Sequence, residues 1–311
     1  MSSNKKSLSE ASEKHQFRTG IFFAIVGTAL FSLKSIFAKL AFQEGVDATT
    51  LVTIRMLIAF PFFLVILIYA LKTHPEKSSL LTKRDISSII LLGFIGYYLA
   101  SYLDFQGLFY ISAQLERLTL FTYPIMVAVL SWIFFKEKIT LRILMSLLIS
   151  YIGVSFLFFN EKPSASLTEG QVLIGTSYVF VAAISFSFYV IFSKAYISRL
   201  GSLIFTSIAM SSSLVFVLVQ FFASHELADL NVSARVWILI GLLAVFSTVI
   251  PSFLMSEAIN RLGATKTSIM GSIGPVVTII LAVNLLDEQF GWAQTIGLLL
   301  VLLGVSLLRS R

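Results

Sequence analysis

The segment LTLFTYPIMVAVLSWIFFKEKIT, residues 118–140, decides the fold because the chain contains a second version of it. The second version is SIMGSIGPVVTIILAVNLLDEQFG, residues 268–291. In each version a proline lies inside an apolar run, and a glutamate follows the proline by thirteen residues. A run of about 20 apolar residues is the length that a helix needs to cross the hydrocarbon of a bilayer. The two segments therefore predict membrane-spanning helices in a chain that repeats itself.

The repeat extends well beyond these two segments. Residues 101–157 align without a gap on residues 252–308, at a constant offset of 151. The alignment superimposes identical residues, namely Ser101 on Ser252, Ala113 on Ala264, Pro124 on Pro275 and Glu137 on Glu288. Upstream the offset becomes 155, where GIFFAIVGTALFSLKSIFAKLA (20–41) pairs with GTSYVFVAAISFSFYVIFSKAY (175–196). Most of the chain is therefore built from two copies of one unit.

The composition is that of an integral membrane protein. Hydrophobic residues make up 57% of the 311 residues and the mean hydropathy is +0.91. Only 13% of the residues are charged, against about 25% in an average soluble domain. Continuous apolar runs, which do not alternate as the strands of a membrane barrel do, lie at residues 20–42, 49–72, 86–108, 111–135, 141–159, 171–196, 201–222, 235–258, 262–286 and 291–308. We therefore predict an all-α integral membrane fold with ten transmembrane helices.

Each predicted repeat contains five helices, residues 20–159 and 171–308, joined by a linker at 160–170 on the periplasmic side. Because five is an odd number, the second repeat must enter the membrane in the opposite orientation. Inverted repeats of this kind are common in transporters, in which the two halves exchange conformations to open a central site to each side in turn.

Basic residues predict the orientation of the chain. If the N-terminus is cytoplasmic, 17 of the 23 Lys and Arg residues face the cytoplasm, which is the positive-inside pattern. The other six fall outside (Lys39, Arg117, Lys162 and Arg235) or within spans (Lys34 and Arg55). We predict a multi-pass protein of the cytoplasmic (inner) membrane, with a disordered cytoplasmic tail at 1–19 and a cytoplasmic C-terminus at 309–311. This asymmetry accounts for the net charge of +7 without a nucleic-acid partner.

On these segments the chain resembles the drug/metabolite transporter superfamily, specifically its ten-helix EamA-type exporters. The resemblance covers roughly residues 18–309 and is carried mainly by the paired segments quoted above. The pattern LFSLKSIFAKLA of the first helix and the arginine in TLVTIRMLIAF of the second also match. The resemblance implies a central cavity between the two repeats, and export or exchange of small metabolites such as amino acids. It names no single substrate.

Charged side chains inside apolar spans indicate an ion pair or a wet cavity, because each costs a few kcal/mol in lipid. The helix rise of about 1.5 Å per residue places Lys34 roughly 12 Å below the outer end of its helix. Arg55, Asp104 and Glu116 lie at roughly 6–9 Å. Lys34 either forms a structural ion pair with Asp104 or Glu116, or presents its ammonium to a substrate carboxylate or phosphate. We take Lys34 as the first candidate for substrate binding.

The other charges are candidates for a gate or for coupling. Arg55, Asp104 and Glu116 are predicted to shape an outer gate, and Arg55 could pair with Glu116 or Glu44. Asp104 and Glu116 could instead titrate and couple transport to protons. Glu257, with its neighbours Arg261 and Lys266, is either the inner counterpart of this gate or a solvated surface group.

Helical periodicity predicts two polar stripes that would face the cavity. One comprises Tyr97, Ser101 and Asp104, and the other Glu116, Thr119 and Tyr123. The residues that we predict to bind substrate are Lys34, Tyr98, Tyr123, Tyr189, Phe31 and Ser187. Pro124 and Pro275 predict a static bend, a hinge or a broken helix. Glu137 and Glu288, at the ends of their helices, are predicted to cap or to pair with loops.

These features predict a secondary active transporter that moves amino-acid-like, other carboxylate or amphipathic metabolites by alternating access, in the direction of export. We expect no enzyme activity, cofactor or metal site, because phosphate-loop and HExxH motifs are absent and the three histidines lie in the tail or loops. The expected partners are a small-molecule substrate, the bilayer and protons as a coupling ion, with a monomer or weak dimer. The alternatives are an importer or exchanger of a nucleotide-like metabolite, a non-transporting membrane sensor or scaffold, and a lipid flippase.

Overall fold

The computed structural model describes residues 2–136, 141–160, 168–271 and 273–307. Ten main helices run through these ranges: α1 Ser2–Gln43, α2 Ala48–Thr73, α3 Lys83–Tyr110, α4 in two pieces Ala113–Leu120 and Tyr123–Phe135, α5 Leu141–Asn160, α6 Glu169–Leu200, α7 Ser202–Ser224, α8 Ala234–Leu262, α9 in two pieces Ala264–Met270 and Ile273–Leu285, and α10 Trp292–Ser306. Eight of them are long and apolar enough to cross a membrane, and α5 and α10 contain shorter apolar stretches, Leu144–Asn160 and Trp292–Gly304. The predicted all-α fold of ten helices is confirmed.

Backbone irregularities occur in pairs, one in each repeat. A π-helical segment interrupts α3 at Phe94–Leu99, and another interrupts α8 at Val245–Val249. Both α4 and α9 break at their centres. Left-handed residues follow these two helices, Lys136 with φ 55° and Asp287 with φ 54°. The π-helical segments begin 151 residues apart, as do the two left-handed residues, and the breaks lie within one residue of this offset. The repeat is therefore a property of the backbone as well as of the sequence.

Helix packing is symmetric under exchange of the two repeats. The most extensive contacts join α5 to α10, α3 to α6, α1 to α8, α2 to α7, α1 to α9 and α4 to α6. Replacing each helix by its counterpart, five positions along the chain, converts this set of pairs into itself. The pair α3–α6 becomes α8–α1, for example, and α1–α9 becomes α6–α4. This is the pattern of two inverted five-helix repeats around a pseudo-twofold axis in the membrane plane.

The N-terminal segment differs from our expectation of a disordered tail. Helix α1 begins at Ser2, so the polar residues before the first span continue its helical backbone. Residues 2–19 contain neither Gly nor Pro, and Lys, Glu, Ala and Leu favour helix. Most of the predicted linker (161–167), Glu137 and the C-terminal residues 308–311 lie outside the described residues.

Glu288 joins the repeats at the start of α4. Its Oε1 accepts a hydrogen bond from the amide of Ala113 at 2.7 Å, and its Oε2 accepts one from Gln114 at 3.2 Å. Partial burial raises the pKa of the Glu288 carboxyl, while the two amide bonds and Lys39 favour the carboxylate. A carboxylate at a helix N-terminus also interacts favourably with the helix dipole. The predicted capping role of Glu288 is confirmed, and the capped helix belongs to the other repeat.

Candidate functional site

A cavity of about 130 Å³ lies at the interface of the two repeats. Eight helices contribute to its wall, α1–α4 from the first repeat and α6–α9 from the second. The symmetric helix pairs described above surround this space. Helix α1 packs against α8 and α9 of the second repeat, and α6 packs against α3 and α4 of the first. The cavity lies where the sequence analysis expects it.

Five buried charged side chains surround this cavity. Among the described residues, the buried charged side chains are Lys34, Arg55, Asp85, Asp104, Glu116 and Arg117, and none is more than 8% exposed. Asp85 pairs with Arg199 at the end of the helix bundle that carries the chain termini. Four of the other five line the cavity, and Glu116 lies behind Lys34. The cavity is therefore bordered by three cations and two carboxylates.

Lys34 lies between the two carboxylates. Its Nζ contacts Asp104 Oδ2 and is 3.1 Å from Glu116 Oε1. Glu116 Oε2 also accepts a hydrogen bond from Ser35 Oγ at 2.6 Å. The side chain of Lys34 lines the cavity as well. The ion pairs predicted for Lys34 are therefore present, and its contact with a substrate stays a prediction.

Arg55 forms neither of the ion pairs that we predicted for it. Glu44 pairs instead with Arg235 at 3.0 Å, and Lys34 and Ser35 occupy the two oxygens of Glu116. The Nη2 of Arg55 donates a hydrogen bond to Ser101 Oγ at 2.9 Å. Its guanidinium lies 4.9 Å from the centre of the Phe105 ring, which is a cation–π distance. Within the described part of the chain, its Nε has no hydrogen-bond partner.

Arg117 corrects the prediction that it lies outside the membrane. The residue is buried in α4, and its Nη2 donates hydrogen bonds to Ser32 Oγ at 2.8 Å and to the carbonyl of Thr28 at 3.5 Å. Gly274 makes room for it, because a Cβ at that position would lie only 2.9 Å from Nη2. The signal in the sequence was its position inside the apolar run 111–135, beside Glu116.

Of the three alternatives predicted for the two prolines, the structure shows the broken helix, because each proline begins a half-helix instead of bending a continuous one. Helix α4 stops at Leu120 and starts again at Tyr123, so that Pro124 lies in the first turn of the second piece. Pro275 lies in the first turn of the second piece of α9. A proline in a first turn removes no helical hydrogen bond, since the first amides have no partner inside the helix.

This break also changes the face of α4 that meets the cavity. Arg117, Leu120, Phe121 and Tyr123 line the cavity, and Glu116 and Thr119 do not. A stripe drawn on one continuous helix loses its phase at the break, because Phe121 and Thr122 leave the helical path. On α3 the predicted stripe of Tyr97, Ser101 and Asp104 does line the cavity, since the π-helical segment ends before Ser101 and Asp104.

The remaining predicted residues separate into two groups. Phe31 and Tyr123 line the cavity, as predicted. Tyr189 lies just behind the wall, with its hydroxyl oxygen 2.7 Å from that of Tyr97.

Tyr98 and Ser187 do not reach the cavity. Tyr98 donates to Gln220 because it is turned about 100° from Tyr97 around the helix, and Ser187 donates to the carbonyls of Ala183 and Tyr123.

Glu257 is remote from the cavity. It pairs with Arg261 at 2.8 Å and accepts a hydrogen bond from Ser202 at 2.6 Å, near the end of α8. The predicted neighbour Arg261 is thus in contact with it, whereas Lys266 lies over the ring of Phe17. A role for Glu257 in gating stays a prediction.

The described residues that form the wall from the second repeat are all neutral. This wall consists of Ala182, Phe186, Met210, Ser247, Thr248, Ser252, Met255 and Gly271. Sequence analysis missed its methionines and most of its hydroxyls, because apolar and hydroxyl side chains in a span do not distinguish a cavity from a helix contact. The only signal was the alignment of Ser252 with Ser101. Chemically, the site offers cationic donors on one side and thioether, aromatic and hydroxyl groups on the other.

A sequence profile of the EamA-like transporter family matches residues 18–159 and 173–310, which correspond to the two repeats. Similar proteins include "Uncharacterized transporter YcbK" of Bacillus subtilis (strain 168), 27% identical over 93% of this chain and 92% of its own length. "Uncharacterized transporter YyaM" of the same organism is 28% identical over 78% of each chain. A crystal structure of a protein with 13% sequence identity superposes with a TM-score of 0.67 over 93% of this chain and 96% of its own, which shows a shared fold.

Proposed function

The chain belongs to the EamA-like transporter family, and from that premise we propose that it carries small organic metabolites with a carboxylate group across the cytoplasmic membrane by alternating access. The observation that carries this proposal is the cavity between the repeats, bordered by three buried cations and two buried carboxylates. Ionisable groups at this depth in a membrane are expensive and mark substrate or ion pathways.

Two different seals bound the cavity in this proposal. On the side away from the chain ends, the ion pairs of Lys34 with Asp104 and Glu116 join α1, α3 and α4. On the other side, the hydrogen-bonded pair of Tyr97 and Tyr189 joins α3 to α6. Each seal holds few atoms together, so rearrangement of the repeats could open one while the other stays closed. The carboxylates of the first seal are also the candidate proton-coupling groups.

We propose that the protein lies in the inner membrane with both termini in the cytoplasm, because most Lys and Arg residues then face the cytoplasm. The ion-pair seal would be periplasmic and the tyrosine seal cytoplasmic. The proposed direction, export, is supported by the resemblance to EamA-type exporters.

Counterflow in proteoliposomes tests this function. Vesicles are loaded with an unlabelled 2-oxo acid, amino acid or nucleotide, and uptake of the same labelled compound is measured. We expect accumulation of a carboxylate and none of a nucleotide. Protein-free vesicles and the variant Arg235→Gln serve as controls, since Arg235 is exposed and outside the cavity. A carboxylate that raises the melting temperature of the protein but shows no flux would favour the sensor or scaffold instead.

A further inference from the structure

This inference rests on the proposed function and narrows the ligand of the same cavity. We propose that the cavity binds a monocarboxylate with an apolar body, and that the guanidinium groups of Arg55 and Arg117, and not the ammonium of Lys34, take the carboxylate.

The positive charge of Lys34 is already compensated by two carboxylates. Its ammonium contacts Asp104 and Glu116, both at least nine-tenths buried. A substrate carboxylate at Lys34 would compete with two carboxylates that are already in place. Removing either one from the ammonium would leave a buried charge without a partner, which is strongly destabilising.

Arg55 and Arg117 are the cations still able to accept an anion. Both are more than nine-tenths buried and line the cavity. Among the described residues, neither has a carboxylate within 4.0 Å, and their hydrogen bonds go to neutral oxygens of Ser101, Ser32 and Thr28. Each guanidinium has five N–H donors in a planar fork that fits a carboxylate. Within the described ranges only Nη2 of either residue donates a hydrogen bond, so most of these donors remain for a ligand.

The charge balance sets the valence of the ligand. In the part of the chain that the structure describes, Lys34, Arg55 and Arg117 oppose Asp104 and Glu116, which leaves one positive charge without compensation around the cavity. An uncompensated charge inside a membrane protein is costly. A ligand with one negative charge neutralises it. A zwitterionic amino acid leaves it unchanged, and a dianion replaces it by one excess negative charge.

The opposite wall defines the rest of the ligand. Met210, Met255 and Phe186 face the cavity from the second repeat, and Phe31 faces it from the first. Thioethers adapt to irregular apolar shapes and make favourable contacts with aromatic rings. The structure therefore fits a carboxylate attached to an aromatic or branched apolar group, such as an aryl-substituted 2-hydroxy or 2-oxo acid.

Three ligands that share one phenyl group test the proposal by thermal shift of the purified full-length protein. They are 3-phenyllactate, which is an anion, phenylalanine, which is a zwitterion, and phenethylamine, which is a cation. We expect 3-phenyllactate to raise the melting temperature with a dissociation constant about tenfold or more below that of phenylalanine. Both ligands carry the carboxylate, but the ammonium of phenylalanine adds a buried positive charge beside the arginines. We expect no shift with phenethylamine.

Variants assign the site to the arginines. Arg55→Gln and Arg117→Gln should each weaken binding of 3-phenyllactate by about tenfold or more, and Arg235→Gln should not change it. If an arginine variant fails to fold, Met255→Asp gives the same test, because it adds a carboxylate to the cavity and cancels the excess charge. Met255→Leu is the size-matched comparison, and binding should weaken by about tenfold or more between Met255→Leu and Met255→Asp.

Equal or tighter binding of phenylalanine would overturn the proposal, as would undiminished binding in the arginine variants or no shift with 3-phenyllactate. Each of these results leaves the proposed transport open, since counterflow with amino acids or other solutes measures it separately. Absence of counterflow despite binding of 3-phenyllactate would reject transport and retain the monocarboxylate site.

Discussion

The two repeats share a backbone and differ in charge. At the offsets of 151 and 155 residues, the four charged residues on α1, α3 and α4 that surround the cavity meet neutral residues of the second repeat, Lys34 on Tyr189, Asp104 on Met255, Glu116 on Thr267 and Arg117 on Ser268. The π-helical segments, the broken helices and the left-handed residues are nevertheless present in both. The architecture is thus symmetric, and the chemistry belongs mainly to the first repeat.

This difference indicates that the cavity wall formed by the first repeat (the first wall) and the wall formed by the second repeat (the second wall) depend on different forces. Lys34, Asp104 and Glu116 of the first repeat need one another, because each of these buried ions is stabilised mainly by its ion pair. Groups of the second repeat need only shape and local hydrogen bonds, such as the one between Tyr189, just behind the wall, and Tyr97. Substitutions on the first wall should therefore be more costly and more strongly coupled than those on the second.

The largest effect is expected for Lys34→Met, which leaves Asp104 and Glu116 buried together without their cation. We expect a loss of about 3–5 kcal/mol in the free energy of unfolding, measured by denaturation in detergent. Adding Glu116→Gln should restore part of it. The matched change in the second repeat, Tyr189→Phe, removes only one hydroxyl and should cost about 0.6 kcal/mol. A Lys34→Met protein as stable as the natural chain would contradict the claim that these charges depend on each other.

The next effect concerns the contact between α3 and α6. A methyl group on Gly96 would overlap the ring of Tyr189, whereas the corresponding residue of the second repeat, Ser247, already carries a side chain. We expect Gly96→Ala to lower the unfolding free energy by about 1–3 kcal/mol. Gly241→Ala is the control, because space beside Gly241 is open and alanine favours the helix by about 0.5–1 kcal/mol. Equal behaviour of the two variants would show that the ring is free to move away.

A smaller effect is expected where the second repeat supports the first. Glu288→Ala removes the cap from Ala113 and Gln114 and should cost about 0.5–2 kcal/mol. Glu288→Gln retains an acceptor and should cost less. Thermal unfolding of both variants would measure the difference. If glutamine is as harmful as alanine, the negative charge at the helix N-terminus matters more than the hydrogen bonds.

The smallest effect on stability is expected at the start of α2, which has a side-chain cap that the corresponding helix α7 lacks. Asp47 caps α2 through the amides of Thr49 and Thr50, at 2.7 and 3.0 Å, whereas Gly201 at the start of α7 offers no side chain. Burial raises the pKa of Asp47, but its hydrogen bonds with Thr50 and Thr49 and the proximity of His225 outweigh this, so the folded-state pKa lies below 3.8. The charged cap therefore stabilises the fold above pH 3.8, and this contribution is lost as the pH falls through the folded-state pKa.

Replacing Asp47 by Asn should remove that acid-dependent contribution, which we expect to be below about 1 kcal/mol because the side chain is half exposed. Unfolding of both proteins between pH 3 and pH 6 would measure it. The two stability curves should differ most above pH 4 and converge in acid. Parallel curves over the whole range would show that the carboxylate charge of Asp47 adds nothing to the cap.

The sequence could predict the fold because helix length, apolar runs and a constant offset are local properties. It could also predict that Lys34, Asp104 and Glu116 meet, because they lie at similar depths on neighbouring helices. It could not place Tyr98 or Ser187 correctly relative to the cavity, since one residue along a helix turns a side chain by about 100°. Arg117 was missed because it lies near the start of its apolar run and was counted outside the membrane, whereas the helix Ala113–Leu120 is buried.

Exchange of the two repeats maps the helix contacts onto themselves, so two backbone arrangements related by that exchange would be degenerate in energy. Any resting preference between them must then come from side chains that differ between the copies. Few such differences are as large as Lys34 against Tyr189 or Asp104 against Met255. The residues that border the cavity would thus also determine which of the two arrangements the whole molecule prefers. An ion bound among them would change both the charge of the cavity and that preference.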